Sequence, residues 1–184
     1  MVICGVDEAG RGPLAGPVVA AAVILQNKGT PFPKLKDSKA LSEKGRRYLS
    51  SILREKVLWS IGEASAEEID ALNILQATLL AMKRAIEGLP VVPDKVLVDG
   101  LFVPKVAVSC EAVVRGDTSE PEIMAASILA KTYRDDLMVQ WAQVYPQYGF
   151  ERHKGYPTKA HQEALKKWGP SPIHRKSFRL VYVS

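Results

Sequence analysis

The sequence predicts a mixed α/β layer fold, one sheet flanked by helices with a small helical segment at the C-terminal end. Three observations predict it. Five short runs rich in valine, isoleucine and alanine interleave with five stretches of helical period. At 184 residues, with 47% hydrophobic and 24% charged residues, the chain can fill one core and is not disordered. It carries no internal repeat and no low-complexity tract. The expected organisation is therefore a single domain over 1–184.

Residues 1 to 7 and 17 to 25 read as the first two strands, a hairpin around Gly10-Arg11-Gly12. Gly29 to Pro33 is a turn-rich connection, followed by Asp37-Ser38-Lys39. Ser42 caps a helix running to about Arg54. Val57 to Glu63 is a short strand and Ala66 to Leu72 a short acidic helix. Asn73 caps a helix through Glu87, in which Leu75, Leu79, Met82 and Ile86 recur at helical spacing, and Gly88, Pro90 and Pro93 end it. Lys95 to Val98 is a fourth strand that stops at Asp99-Gly100, and Val106 to Val113 is a fifth. After a loop at Arg115-Gly116-Asp117, Glu120 to Trp141 is the longest helix, with Pro121 in its first turn and Ile123, Ala126, Ala130 and Leu137 facing inward. Its small residues Ala125, Ala126, Ser127 and Ala130 let it lie close to the sheet. Beyond Tyr145-Pro146, an aromatic and basic loop leads to a helix from about Thr158 to Trp168 and a tail containing His174 to Phe178.

Composition excludes several classes. No apolar stretch reaches transmembrane length, and the first residues carry neither a basic leader nor a small-residue cleavage site. A protein without a membrane segment, in a reducing cytoplasmic compartment, is expected. Cys4 and Cys110 are too few for a disulfide framework or a zinc site and read as small core residues. The formal charge of +5 is unevenly spread. Residues 34 to 54 carry seven basic residues against two acids, and residues 151 to 179 eight against two. Two basic segments suggest a polyanion-binding face; a solvated helix surface is the plainer reading.

The stretch Asp7 to Gly12 holds the first chemistry. A buried strand that ends in carboxylates needs something to compensate the desolvated charge. Regular strand geometry sends Asp7 and Glu8 to opposite faces, so both serve one site only if the chain turns at Glu8; Gly10 and Gly12 make such a turn feasible. Taken alone, the stretch fits a solvated hairpin loop, with Arg11 paired to one acid, as well as it fits a site. Asp99 and Asp117 share its placement at a predicted strand end beside glycine. Strand ends of an open α/β sheet gather along one edge, where ligands bind. Four carboxylates brought together repel and shift toward protonation unless hard cations join them, and Mg2+ or Mn2+ suits an all-carboxylate set better than zinc. His153, His161 and His174, without paired cysteines, read as polar surface or phosphate-facing groups. No phosphate-cradling or dinucleotide-binding glycine motif is present, so a nucleotide cofactor is not expected. Acids for a metal plus basic segments for a polyanion point to metal-assisted phosphodiester hydrolysis.

Asp7-Glu8-Ala9-Gly10-Arg11-Gly12-Pro13-Leu14-Ala15-Gly16-Pro17 resembles the opening signature of the type 2 ribonucleases H, and within them the bacterial branch, the ribonucleases HII. The resemblance continues through Asp37-Ser38-Lys39, Val98-Asp99-Gly100, Gly116-Asp117, Ala125 to Lys131, Arg134-Asp135, His153-Lys154-Gly155-Tyr156-Pro157-Thr158 with His161, and His174-Arg175-Lys176-Ser177-Phe178. It spans almost the whole chain in order. It implies a ribonuclease H-like fold and hydrolysis of the RNA strand of RNA–DNA hybrids. It also implies incision on the 5′ side of single ribonucleotides in duplex DNA, leaving 3′-hydroxyl and 5′-phosphate ends. Asp7, Glu8, Asp99 and Asp117 match the family's metal-binding catalytic acids. One Mg2+ or Mn2+ would activate water and a second, about 4 Å away, would stabilise the leaving 3′ oxygen. Gly10-Arg11-Gly12 match the loop that reads the 2′-hydroxyl, the group that separates RNA from DNA. Tyr156 matches the aromatic that stacks on the deoxyribose after the ribonucleotide. Lys39, with Lys131, Lys154 and Arg175, is a candidate for phosphate contacts, and residues about 145–184 form a substrate-binding segment. The implied partner is a hybrid or a ribonucleotide-containing duplex, bound by a monomer.

Some positions depart from the family pattern. Arg115 replaces a lysine before Gly-Asp, and Leu101 stands where asparagine often follows Val-Asp-Gly. Residues 118–124 are more acidic than expected; Glu120 and Glu122 fit the positive N-terminus of a helix better than the metal zone. Without the resemblance, Tyr156 reads as a surface aromatic, and Lys131, Arg134 and Asp135 as ion pairs on a helix surface. Trp59, Trp141 and Trp168 read as core or hinge packing.

Overall fold

The computed structural model describes residues 1–26, 35 and 40–180. Strands β1 (Ile3–Ala9), β2 (Val18–Ile24), β3 (Leu58–Ala64), β4 (Lys95–Asp99) and β5 (Ser109–Val113) form one mixed sheet in the order β3-β2-β1-β4-β5. β1, β2 and β3 pair antiparallel, whereas β4 runs parallel to both β1 and β5. Every residue of β2 is buried, as a continuous Val-Val-Ala-Ala-Ala-Val-Ile run in a two-sided strand requires.

Alternation along the strands divides the core. Cys4, Val6, Val18, Ala20 and Ala22 pack against α3 (Ile74–Glu87) through Ala77, Ala81, Met82 and Ala85. Ala21 and Val23 face the other way, toward α5 (Pro121–Val144) and toward Leu49 and Leu53 of α1 (Glu43–Lys56). The approach of α5 to β1 needs Gly5, because a Cβ there would lie 2.2 Å from the Glu122 carbonyl carbon. Ser50 and Thr132 hydroxyls, 2.9 Å apart, join α1 to α5. A third apolar cluster holds Leu14, Ala15, Met138, Tyr148, Phe150 and Leu165. It seats the chain after β1 against the far end of α5, α6 (Phe150–His153) and α7 (Lys159–Trp168). Backbone bonds from Leu14 N to Gly155 O and from Gly16 N to Ile173 O secure that seat.

Several boundaries differ from the sequence reading. Ser42 caps α1 as expected and Ser65 closes a capping box on α2 (Ala66–Leu72). The fifth strand begins at Ser109; Val106 and Val108 instead pack under the first cluster as irregular chain. Asp117 lies not in a loop but in the one-turn helix α4 (Gly116–Ser119), which starts after Arg115 adopts a left-handed φ of 54°. On α5 the inward residue is Met138 and not Leu137, which is only half-buried. On α3 alanines take the buried face, and Leu75 and Leu79 fall to its margin. Trp168 is not a core residue: it is exposed, with Lys167 over its ring. Among the described residues, no helix is long and apolar enough to cross a membrane.

A candidate active site at the fork of the sheet

The pairing of β1 with β4 stops at Val6 and Val98, while β1 continues along β2 to Ala9 and β4 continues along β5 to Asp99. The sheet therefore forks, and Asp7, Glu8 and Asp99 stand in the fork. Each offers a carboxylate oxygen within 4.8 Å of the others. The expected turn at Glu8 is absent, because β1 stays extended through Ala9. Convergence comes from the fork instead: Asp7 shares the face of Gly5 and α5, Glu8 that of Val6 and α3, and with no strand between them both reach the open edge. Asp117 is not among the three meeting acids; its backbone N–H donates to Asp99 Oδ1 at 3.2 Å, so α4 caps the cluster from one side.

The cluster is under electrostatic load. Asp7 is 5% exposed, and burial first, then the charges of Glu8 and Asp99, push its carboxyl well above the usual carboxylate range. Burial raises Glu8 as well, against a hydrogen bond shared with Asp7 and the Arg11 charge, which pull it down. Arg11 lies 3.8 Å from Glu8 Oε1 and is half exposed, and Glu8 Oε2 is buried without a hydrogen-bond partner. Three hard oxygen donors, two of them disfavoured as bare anions and one with an unused buried atom, suit a divalent cation.

Beside the acids opens a cleft of about 330 Å3, lined by Glu8, Gly10, Arg11, Gly12, Lys131 and Tyr156 among others. Gly10 sits at φ +93° with a would-be Cβ 2.1 Å from Arg134 Nε, so only glycine fits. Gly12 is open on its cleft side, where a Cβ would stand 3.5 Å from the Tyr156 ring. A second cleft, about 380 Å3, reaches Glu8 and Asp99 from the α3 side and is lined by Leu75, Leu79, Leu101 and Phe102. Leu101, which departs from the family pattern, thus forms an apolar wall next to the acids.

Two buried arginines hold this architecture. Arg134 donates to Pro17 O, Lys154 O and Ala15 O at 2.8–2.9 Å. Arg175 donates to Gly16 O, Arg11 O, Pro13 O and Gly10 O at 2.5–2.9 Å. Burial first lowers both guanidiniums, to about 10 and about 9, and the charge of Arg134 adds to the effect on Arg175. Both remain cations, hydrogen-bonded to carbonyl dipoles, while the charges of Asp135 on Arg134 and of Asp70 on Arg175 partly offset the cost of burial. Arg175, fully buried, is thus not a phosphate contact, and Arg134 is not a surface ion-pair residue. Lys131 fits the earlier reading in part, lying 3.6 Å from Asp135 at the cleft wall, while the Lys154 ammonium bonds to the Glu151 carbonyl. His161 and His174 are buried, not phosphate-facing. Lys39, with Asp37 and Ser38, lies outside the described residues. Glu122 occupies the first turn of α5.

The signal for Arg134 was present in the sequence: Ala126, Ala130, Arg134 and Met138 follow one another at i+4 on the buried face of α5. A family model for ribonuclease HII matches residues 4–181. Ribonuclease HII of Idiomarina loihiensis is 57% identical over 181 residues, covering 98% of this chain and 96% of that protein. The ribonuclease HII of Dechloromonas aromatica is 58% identical over 178 residues, covering 96% and 90%. The crystal structure of ribonuclease H2 from Pyrococcus horikoshii matches at a TM-score of 0.79 and 28% identity, covering 98% of this chain and 95% of that one.

Proposed function

Because the chain belongs to the ribonuclease HII family, and is thereby an endoribonuclease of the ribonuclease H type acting on RNA–DNA hybrids, we propose that it also incises duplex DNA 5′ of a single ribonucleotide. The cut leaves 3′-hydroxyl and 5′-phosphate ends. The observation that carries this reading is the adjacency of the acid cluster to a cleft walled by Gly10, Arg11, Gly12 and Tyr156. Asp7, Glu8 and Asp99 would hold Mg2+ or Mn2+, with Asp117 completing the set from α4. The chemistry that such ions supply when bound is activation of the attacking water at one and charge stabilisation at the leaving 3′ oxygen at the other.

The rest is the work of the chain itself. The Gly10-Arg11-Gly12 backbone, pinned by Arg175, approaches a ribose closely and reads its 2′-hydroxyl. Tyr156, 42% exposed with one ring edge toward Gly12, takes the deoxyribose that follows. Arg11 and Lys131 face the phosphates from the cleft wall, and the family resemblance makes Lys39 a further candidate for a phosphate contact. Residues 145–184 act as the substrate-binding segment of a single domain that works as a monomer in the cytoplasm. The test is incision of an end-labelled duplex carrying one ribonucleotide, with Mg2+, Mn2+ or chelator. A single cut 5′ of the ribonucleotide, lost in chelator, is expected; cutting in chelator, or ends bearing a 2′,3′-cyclic phosphate, would overturn it.

A further inference from the structure

Two histidines, His161 and His174, lie between the C-terminal tail and the cleft, and their hydrogen bonds run in one direction. The Tyr156 carbonyl only accepts, so His161 Nδ1, 2.9 Å away, carries a proton and donates. The Ser171 backbone N–H only donates, so His174 Nδ1, 2.9 Å away, is bare and accepts, with Ser171 Oγ also at 2.8 Å. Burial pushes His161 down to about 4 and His174 to about 3, so both rings are neutral at physiological pH. The remaining nitrogens, His161 Nε2 and His174 Nε2, are 2.8 Å apart, and only one arrangement satisfies them: His174 donates and His161 accepts. Both rings are packed against aromatic neighbours. His161 stacks on His153 at 4.3 Å and meets the edge of Phe150, and His174 lies 4.9 Å from the Tyr148 ring.

The chain Ser171–His174–His161 thus ends on the backbone of Tyr156, while the next residue after His174, Arg175, grips the carbonyls of Gly10 and Arg11. One dipeptide holds both walls of the cleft. We propose that His174 is a positioning residue that sets preference for the ribonucleotide–deoxyribonucleotide junction, by holding Tyr156 through His161 in register with the Gly10-Arg11-Gly12 loop held by Arg175. The inference rests on the reading of Tyr156 as the group that takes the deoxyribose.

The readout is the ratio of kcat/KM on a duplex with one ribonucleotide to kcat/KM on an all-RNA strand paired with DNA. A role in general stability lowers both together; a positioning role lowers the ratio. His174→Phe keeps a ring in the aromatic cluster but has no donor, and lowers the ratio about tenfold, the worth of one buried hydrogen bond. His174→Gln, which can still donate toward His161, keeps the ratio within about threefold of the unaltered chain. In a Tyr156→Ala background, His174→Phe lowers the ratio no further. A ratio unmoved by Tyr156→Ala removes the junction reading and the proposal with it. A ratio that collapses in Tyr156→Ala but stands in folded His174→Phe overturns the relay alone. If His174→Phe does not fold, long-range 15N–1H spectra of the unaltered chain decide. His161 protonated on Nδ1 with His174 protonated on Nε2 upholds the relay, and any other pair of tautomers overturns it.

Discussion

Asp7 carries the conflict on which the site is built, since one carboxyl is buried beside two others at the point where the sheet parts. Its acid was legible in the sequence as a charge at the end of an apolar run, and so was that of Asp99. What the sequence could not supply was the means of convergence, because a fork depends on where the β1–β4 ladder stops and not on any turn residue near Glu8. The residue-level consequence is a stability cost. A carboxyl whose pKa is raised in the folded chain favours folding only in acid, and that contribution is lost as pH rises through the raised value. At neutral pH, without metal, Asp7 therefore opposes folding. Asp7→Asn should raise the melting temperature in chelator by about 2–6 °C, shrink the further rise expected on adding Mg2+ to the unaltered chain, and abolish incision. Thermal melts with and without Mg2+ check this; a lower melting temperature for the variant in chelator would contradict it.

Among the elements, α5 and the strap of residues 10–17 after β1 bind the sheet to the C-terminal segment. The apolar face of α5 was legible from its alanines, yet Arg134 sits on that face with its charge spent on three carbonyls. The strap read as a solvated loop or a site because its partners, Arg134 and Arg175, are distant in sequence. Neither periodicity nor composition reports such a contact, and the same holds for the buried histidines. The strap's dependence on Arg175 can be measured. Arg175→Met leaves the carbonyls of Gly10, Arg11, Pro13 and Gly16 without their donor, and should cost about 3 kcal/mol or more in urea unfolding. A cost under about 1 kcal/mol would mean that water or a shifted backbone satisfies them.

At the scale of the whole molecule, an acid-lined sheet edge and a histidine-rich C-terminal segment respond to pH with opposite signs. Folded His161 and His174 stay neutral below 6.5, whereas the unfolded chain takes up protons there. Their contribution is present above pH 6.5, falls as pH drops toward about 4 and about 3, and opposes the gain from Asp7 and Glu8. His174→Gln removes one of the two histidines from this balance. Between pH 7 and pH 5 its melting temperature should fall by a few degrees less than that of the unaltered chain, and equal falls would contradict the assignment. The mixed α/β class, most elements and the basic surplus of the tail were legible from sequence, whereas the coupling of that tail to the cleft was not, since it rests on packing between the two ends of the chain. On the proposed reading, the acids at the fork carry the hydrolysis and the cleft beside them recognises the ribonucleotide. Binding and single-turnover incision of a one-ribonucleotide duplex by Asp99→Asn at saturating Mg2+ separate the two roles. A Kd within about threefold of the unaltered chain, with incision slowed by about a thousandfold or more, is expected; incision at the unaltered rate would refute the assignment.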